Sequence, residues 1–338
     1  MRPERARNVT IRDVAREAQV SVASASRALS GSGSVTEATR ERVLVAARRL
    51  RYVPHSGARI LSTRRTHTLG VILPDLYGEF FSEIIRGADL AARARGQHLL
   101  LSSSHADADA VAVVIRSMRG RVDGILVMSP HVDAQVLAES LADDLPMVLL
   151  NTEVEEGRHP SFRVDNHAGA FAATRHLAER ARRVAHIAGP LDNSEAQERM
   201  RGWRDALGEA AGPVLPGDFS EESGFRAGQA LAAMDPRPDA VFAANDMMAV
   251  GCLQALAEAK IAVPGEMAVA GFDDIPIARL MRPSLTTVSA HIAELSRRAV
   301  ERLARLVEAP DAREELLHIV RPDVIVRESS LPPATPSD

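Results

Sequence analysis

Carboxylates, amides and one arginine gather where short apolar runs end. TLGVILPD closes on Asp75, PMVLLNTE contains Asn151, and Asp165 and Asn166 follow FRV. AVFAAND closes on Asn245 and Asp246, and MAVAGFDD on Asp273 and Asp274. Arg199 and the aromatics Phe80, Phe81, Trp203 and Phe219 are available beside them. Carboxylates and a guanidinium grip sugar hydroxyls through charge-assisted hydrogen bonds, and aromatic rings cover the apolar face of a sugar. Each of these polar residues is also an ordinary turn or cap type. Their recurrence at the carboxyl ends of strands favours a hydroxyl-rich small ligand.

Other chemistry finds little support. There is no G-x-G-x-x-G, no G-x-x-x-x-G-K-[ST] and no G-x-S-x-G, so nothing marks a dinucleotide, a nucleoside triphosphate or a serine nucleophile. His105, Asp107 and Asp109 have the residue types of a metal cluster, but HADAD reads as a polar loop entering a helix, with Asp near its N-terminus. Cys252 lies on the apolar face of the 246–259 helix and reads as core. No enzyme activity, cofactor or metal is expected.

The 338 residues are long for one domain, and 46% hydrophobic content suits a large core. No apolar run approaches the roughly 20 residues of a bilayer span, so no membrane partner is expected. MRPERARNVT has no apolar core of a secretory signal, and a single cysteine excludes an internal disulfide framework. A cytoplasmic protein is the expectation. The net charge of −4 is uneven: residues 1–65 carry 14 Arg against five acidic residues, a local net of +9 that leaves −13 for the rest. A basic head on an acidic body is the footprint of nucleic-acid binding, because arginines neutralise phosphates and release counterions.

Periodicity in that head predicts three short helices. Thr10 caps the first, with Ile11, Val14, Ala15 and Ala18 on one face and Asp13 placed as in a capping box. After a turn at Gln19 and Val20, Ser21 caps the second, with Ala25, Ala28 and Leu29 inward. SGSGS interrupts, and Thr36 caps a third that buries Val43, Leu44, Ala47 and Leu50 and ends before Pro54. This is a helix-turn-helix pattern, in which the N-terminal residues of the second helix enter the major groove. Those residues are Val22, Ala23 and Ser26, with Arg27 a turn further on. Their small side chains permit close approach, Val and Ala to thymine methyls and Ser to base edges or phosphate.

TIRDVAREAQVSVASASRALSGSGSVTEATRERVLVAARRLRYVP resembles the DNA-binding head of the lactose-repressor/galactose-repressor (LacI/GalR) family. The Asp-Val-Ala helix appears as Asp13-Val14-Ala15, and Val-Ser-x-x-Thr-Val-Ser-Arg as Val20 to Arg27. Departures are Gln19 for a usual Gly and Ser24-Ala25 for Thr-Val, and Gln is uncomfortable there if φ is positive. The resemblance implies that Val22 and Ala23 are the main base readers, with Arg27 contributing and Thr10, Ser21, Ser24 and Ser26 among the DNA contacts. It also makes PHSGARILSTRRTHTLG a hinge helix that folds on DNA, with His55 and Ala58 at the DNA and Leu61 wedged into a minor-groove step. His55 stands for a usual Asn, and Gly57 weakens helix propensity by about 1 kcal/mol relative to Ala. Read on its residues alone, the segment is a linker.

From Thr68 the pattern alternates. TLGVILPD, QHLLLSSS, VDGILVMS, PMVLLNTE, RVAHIAGP, AVFAAND and MAVAGFDD read as buried strands. Helices are expected at 81–95, 107–119, 131–142, 194–210, 222–233, 246–259 and 290–308. The fold class is α/β: an N-terminal all-α helix-turn-helix head and a body of two doubly wound parallel-sheet subdomains around a cleft.

The family resemblance continues through LGVILPDLYGEFFSEIIRG, ERMRGWRDAL, AVFAANDMMAVG, VPGEMAVAGFDDIPIARLMRPSLTTV and IVRESS, which look like the periplasmic-binding-protein-like effector body. It implies an effector cleft of Asp75, Phe80, Arg199, Phe219, Asn245 and Asp273, with Ala290 for a common Gln and Asn151 for a frequent Asp. It implies a head at 8–53, a hinge at 54–66, an N-subdomain at 67–164 and 292–321, a C-subdomain at 165–291 and 322–330, and a tail at 331–338. Chain crossings fall near 163–165, 289–292 and 320–323. The expected protein is a homodimeric, bacterial, nucleoid-associated repressor of a carbohydrate-utilisation operon. It binds double-stranded DNA at a pseudo-palindromic operator under allosteric control by a sugar-like effector. A purine or other non-sugar effector, or a corepressor, is the alternative. The tail lacks leucine heptads, so a tetramer-forming coil is not expected.

Overall fold

Asp13 anchors the start of the first helix, α1 (Ile11–Glu17): its carboxylate accepts the Thr10 backbone N–H at 3.0 Å and the Thr10 hydroxyl at 2.7 Å. Bonds of this kind satisfy N–H groups that the first helical turn leaves without partners. α1 ends at Ala18, and Gln19 turns the chain with φ of 54°. This is the left-handed conformation that its position anticipated, adopted without a glycine. Ser21 then accepts the Ser24 N–H at 3.1 Å and starts α2 (Val22–Ser30), and Thr36 caps α3 (Glu37–Arg49). The three helices share a core of Val14, Ala15, Ala18, Ala25, Ala28, Val43, Ala46 and Ala47. Leu44 was expected inward but is 40% exposed, and Ala46 takes the inward place.

The computed structural model describes residues 9–30, 35–52, 65–105, 107–130, 145–152, 159–309 and 315–331. It divides into two compact units, Met1–Thr66 and His67–Asp338. His55, Ala58, Leu61 and the helix expected at 131–142 lie outside the described residues.

The body is built on two parallel sheets. The first has six strands in the order β11-β5-β4-β3-β1-β2: β1 (Thr68–Leu73), β2 (His98–Ser103), β3 (Gly124–Met128), β4 (Met147–Leu150), β5 (Ser161–Val164) and β11 (Leu317–Val320). The second has four in the order β7-β6-β8-β9: β6 (Val184–Ile187), β7 (Ala211–Leu215), β8 (Ala240–Ala243) and β9 (Ala268–Ala270). The inner strands are apolar on both faces because helices cover both. α4 (Glu79–Ala94) and α10 (Ile292–Glu308) pack together beside the first sheet, so closely that a Cβ on Gly87 would sit 2.0 Å from the Ala293 carbonyl oxygen. α5 (Ala108–Met118) flanks the first sheet near β1, and Asp107 accepts the Ala110 N–H at 3.4 Å, as the loop reading of HADAD requires. α6 (Asn166–Ala178) packs on α7 (Ser194–Leu207), and α8 (Glu221–Ala232) on α9 (Asp246–Glu258), around the second sheet.

One strand departs from expectation. QHLLLSSS, read as buried, is the sheet-edge strand β2, and Leu100 and Leu101 are exposed. An apolar run does not distinguish an inner strand from an edge.

The chain passes between the sheets three times: between β5 and α6, between β10 (Thr287–Ser289) and α10, and between β11 and β12 (Asp323–Ile325). β10 and β12 pair antiparallel. His291, left-handed with φ of 48°, bonds Asp323 at 3.0 Å and ties two of these passages together.

Candidate functional site

On the head, the second helix presents the side chains expected to face bases. Val22 is 43% exposed, so it is no core valine, and Ala23, Ser26 and Arg27 are exposed with it. The Arg27 Nε donates to the Ala23 carbonyl at 3.3 Å, which holds the arginine stem along the helix. The Ser21 and Ser24 hydroxyls bond each other at 2.9 Å, and Thr10 is engaged by Asp13. These three hydroxyls therefore organise helix starts, while Val22, Ala23, Ser26 and Arg27 form the outward face.

In the body, Asp75, Phe80, Arg199, Phe219, Asn245 and Asp273 all line a single cavity of about 660 Å³. Both sheets contribute to its walls. Asp75 follows β1, where its Oδ1 accepts the N–H groups of Leu76 at 2.6 Å and Tyr77 at 3.1 Å and turns the chain toward α4. Phe80 and Phe81, on the first turn of α4, meet edge to face at 5.2 Å. Phe219 comes from the other subdomain, with φ of 70°. Its ring lies over Gly189, where a Cβ would come within 2.6 Å of it. Asn245 is committed on two sides: its carbonyl oxygen accepts the Met248 N–H at 2.9 Å, capping α9, and its amide donates to the Phe219 carbonyl at 3.0 Å.

Arg199 forms the buried floor. Its Nε donates to Asn166 at 2.8 Å and its Nη1 to the Ala244 carbonyl at 2.6 Å. Its Nη2 lies 3.2 Å from Asp273 and 3.7 Å from Glu195, and its plane rests 3.8 Å from the Phe272 ring centre. Asp273, with φ of 109°, is pushed up to about 7, chiefly by burial and further by the Glu195 charge, against the pull of Arg199. Nearby Asp246 is raised well above the usual carboxylate range by burial and by Asp273, while it accepts bonds from Thr287 and from the Ile275 N–H. Non-glycine residues in left-handed backbone cost energy and cluster at functional sites. Two cavity residues, Phe219 and Asp273, are of this kind.

Among the described residues, two side-chain bonds bridge the cleft. Glu79 of α4 accepts the Ile277 N–H at 3.0 Å, and the Ser194 hydroxyl donates to the Pro130 carbonyl at 3.4 Å.

The other strand-end residues do different work. Trp203, considered available to a ligand, is instead 1% exposed and stacks on His186 in the core. Asp165 caps α6, Asn166 orients Arg199, and Asp274 pairs with Arg327 at 2.6 Å. Asn151 lines a separate pocket of about 180 Å³, which shares Glu195 with the main cavity. Ala290 is buried and lines neither. Sequence reasoning missed Glu79, Asn193, Glu195 and Asp218 among the cavity walls. The spacing Glu195-x-x-x-Arg199, an i,i+4 ion pair on one helix face, was the signal available for Glu195.

Residues 10–55 match the model of bacterial regulatory proteins of the lacI family, and residues 174–330 match the periplasmic binding protein-like domain. The ribose operon repressor of Escherichia coli (strain K12) is 33% identical over 319 residues, covering 92% of this chain and 96% of that protein. The crystal structure of the lac repressor dimer bound to operator and the anti-inducer ONPF superposes with a TM-score of 0.85 at 26% identity, over 96% of this chain and all of that one. The transcriptional regulator CelR in complex with cellobiose gives 0.68 at 31% identity, over 95% of this chain and all of that one. A helix-turn-helix head, a two-sheet body and relatives matched along nearly their whole length lead to one assignment: the chain belongs to the LacI family of bacterial regulatory proteins, as a DNA-binding transcriptional repressor.

Proposed function

We propose that this repressor binds a pseudo-palindromic operator as a homodimer and that a small sugar or sugar derivative in the body cleft controls its operator affinity. The observation that carries the reading is the convergence of Asp75, Phe80, Arg199, Phe219, Asn245 and Asp273, drawn from both subdomains, on one cavity. A ligand touching both walls binds one arrangement of the subdomains better than another, and such differential binding is what shifts a population.

In this reading Val22 and Ala23 read bases by methyl contact and fit, Arg27 adds a polar contact, and Thr10, Ser21, Ser24 and Ser26 hold the helix against DNA. His55, Ala58 and Leu61 act from the hinge at 54–66, with Leu61 the minor-groove wedge. The subdomains run 67–164 with 292–321 and 165–291 with 322–330. Two heads on a two-fold axis match two half-sites. The exposed leucines on the free edge of β2 support burial of that face by a second copy. The repressor acts in the cytoplasm, on a carbohydrate-utilisation operon.

A thermal-shift screen against sugars and nucleobases, followed by operator binding with each hit, tests the proposal. A sugar that raises the melting temperature and changes operator affinity supports it. A nucleobase doing so in place of every sugar transfers the site to the second reading, a purine effector, which the three phenylalanines around the cavity favour. The sign of the operator response separates inducer from corepressor.

A further inference from the structure

The charge around the cavity is lopsided. Its floor holds Glu195 and Asp273 against Arg199, which is the one basic residue among the described lining. Five more carboxylates stand around the opening: Asp75, Glu79, Asp218, Glu221 and Glu222. Arg226 answers two of them, at 2.7 Å from Glu222 and 3.8 Å from Asp218. Asp75, Glu79 and Glu221 have no ion-pair partner among the described residues.

Two features could still attract an anion, and the chain's own groups oppose both. Arg199 directs its nitrogens to Asn166, Ala244, Asp273 and Glu195 and its face to Phe272, so little of the guanidinium remains for a phosphate. The N-termini of α4, α7, α8 and α9 also meet the cavity through Glu79, Asn193, Ser220 and Asn245. Each supplies on the order of half a positive charge. Three of the four are occupied by the chain's own caps, and α4, which starts at Gly78 without a side-chain cap, carries Glu79 in its first turn. Asn193, Ser220 and Asn245 cap α7, α8 and α9, and first-turn carboxylates stand on all four helices: Glu79, Glu195, Glu221 with Glu222, and Asp246. Buried Asp246, whose pKa is raised, counts for little here, but the whole negative charges of the first-turn glutamates outweigh half positive ones.

From this arrangement, and resting on the effector reading of the cleft, we infer that the cavity filters ligands by charge: it admits an uncharged or amine-bearing polyhydroxy compound and rejects the phosphate ester or carboxylate of the same compound. The filter has two layers. Exposed carboxylates at the opening act at a distance and are screened by salt. At the floor, Glu195 and the partly ionised Asp273 act at short range where screening is weak, and both accept hydroxyl or ammonium donors.

Matched series on the full-length protein test this by calorimetry and thermal shift: glucosamine, glucose and glucose 6-phosphate; ribose and ribose 5-phosphate; adenosine and adenosine monophosphate. In every series with a binder, the phosphate ester should bind at least about tenfold more weakly than its neutral parent, the size expected of one uncompensated charge nearby. The gap should narrow between 50 mM and 500 mM salt. Glu221→Lys should narrow it further, with operator binding as the control for folding. A phosphate ester binding as tightly as its parent, in any series, overturns the proposal while leaving the effector reading in place. So does binding of a phosphate ester whose neutral parent fails to bind. Should adenosine bind, its monophosphate fail and no sugar bind, the carbohydrate reading falls while the charge filter stands.

Discussion

The Asn245 side-chain amide donates to the Phe219 carbonyl at 3.0 Å, so the residue that caps α9 also fixes the loop carrying an aromatic wall of the cavity. The cap and the wall can be separated by substitution. Asn245→Asp keeps the capping oxygen and removes the donor. It should leave denaturant stability nearly unchanged and weaken effector binding. Asn245→Ala loses both and should cost a further 0.5–2 kcal/mol, roughly, of stability. Urea titration beside effector calorimetry distinguishes the two.

Arg199 is 3% exposed and holds Asp273 and Glu195 together, so truncating it strands two buried carboxylates. Arg199→Ala should destabilise the body by about 3–5 kcal/mol as well as abolish the ligand response. Arg199→Lys should retain more stability but lose the response, because an ammonium cannot serve Asn166, Ala244 and Asp273 together. The head has its own core, so operator binding at low temperature should survive in both. Gel shifts with and without effector read this out.

Asp273 titrates near 7 in the folded chain, well above its ordinary value of 3.8, mainly through burial. A raised carboxyl pKa means that the folded state holds its proton after the unfolded state has released it. This contribution to stability is complete below about pH 4 and is lost as pH rises through 7. Buried Asp246 acts in the same direction. Asp273→Asn removes one titrating group, so the fall in stability between pH 5 and pH 7.5 should shrink. Urea midpoints at the two pH values measure it; an undiminished fall would count against Asp273 as the group responsible.

Val22 and Ala23 project outward from α2 and take no part in the head's buried core. Val22→Ala and Ala23→Ser should move the melting free energy by no more than about 0.5 kcal/mol yet change which operator variants bind best. Ser21→Ala should instead cost about 1 kcal/mol through the lost cap. In the hinge, Leu61→Ala should weaken operator binding far more than binding to random DNA. Equal loss on both would argue against a wedge.

Much of this architecture could be read from the chain because apolar runs and polar strand ends leave strong local signals. The head's helix starts followed from Ser21 and Thr36, whose hydroxyls are short enough to serve the backbone, and from Thr10, which Asp13 holds through its hydroxyl and backbone N–H. Failures came where tertiary context decides. Asn166–Ala178 was not read as a helix because NHAGAFAATRHLA is alanine-rich and buried on more than one side, which blurs the 3.6 period. Ala211–Leu215 was missed because Gly212 and Pro213 suit an edge strand but read as a turn. Trp203 was misplaced because an aromatic residue near a site carries no mark of which way its ring points. Glu195 and Glu79 escaped because they stand in the first turns of helices, where an acidic residue is the ordinary complement of the helix dipole.

The chain's single tryptophan lies one helical turn beyond Arg199 on α7, sealed from solvent and stacked 5.3 Å from His186. Burial holds that histidine's pKa down at about 4, so its protonation does not intrude near neutral pH. If the cleft holds the effector through Arg199, this indole is placed to sense it, and a fluorescence titration measures the change. A ligand that tugs on Arg199 strains the helix bearing the only indole, and its emission can report occupancy without a label.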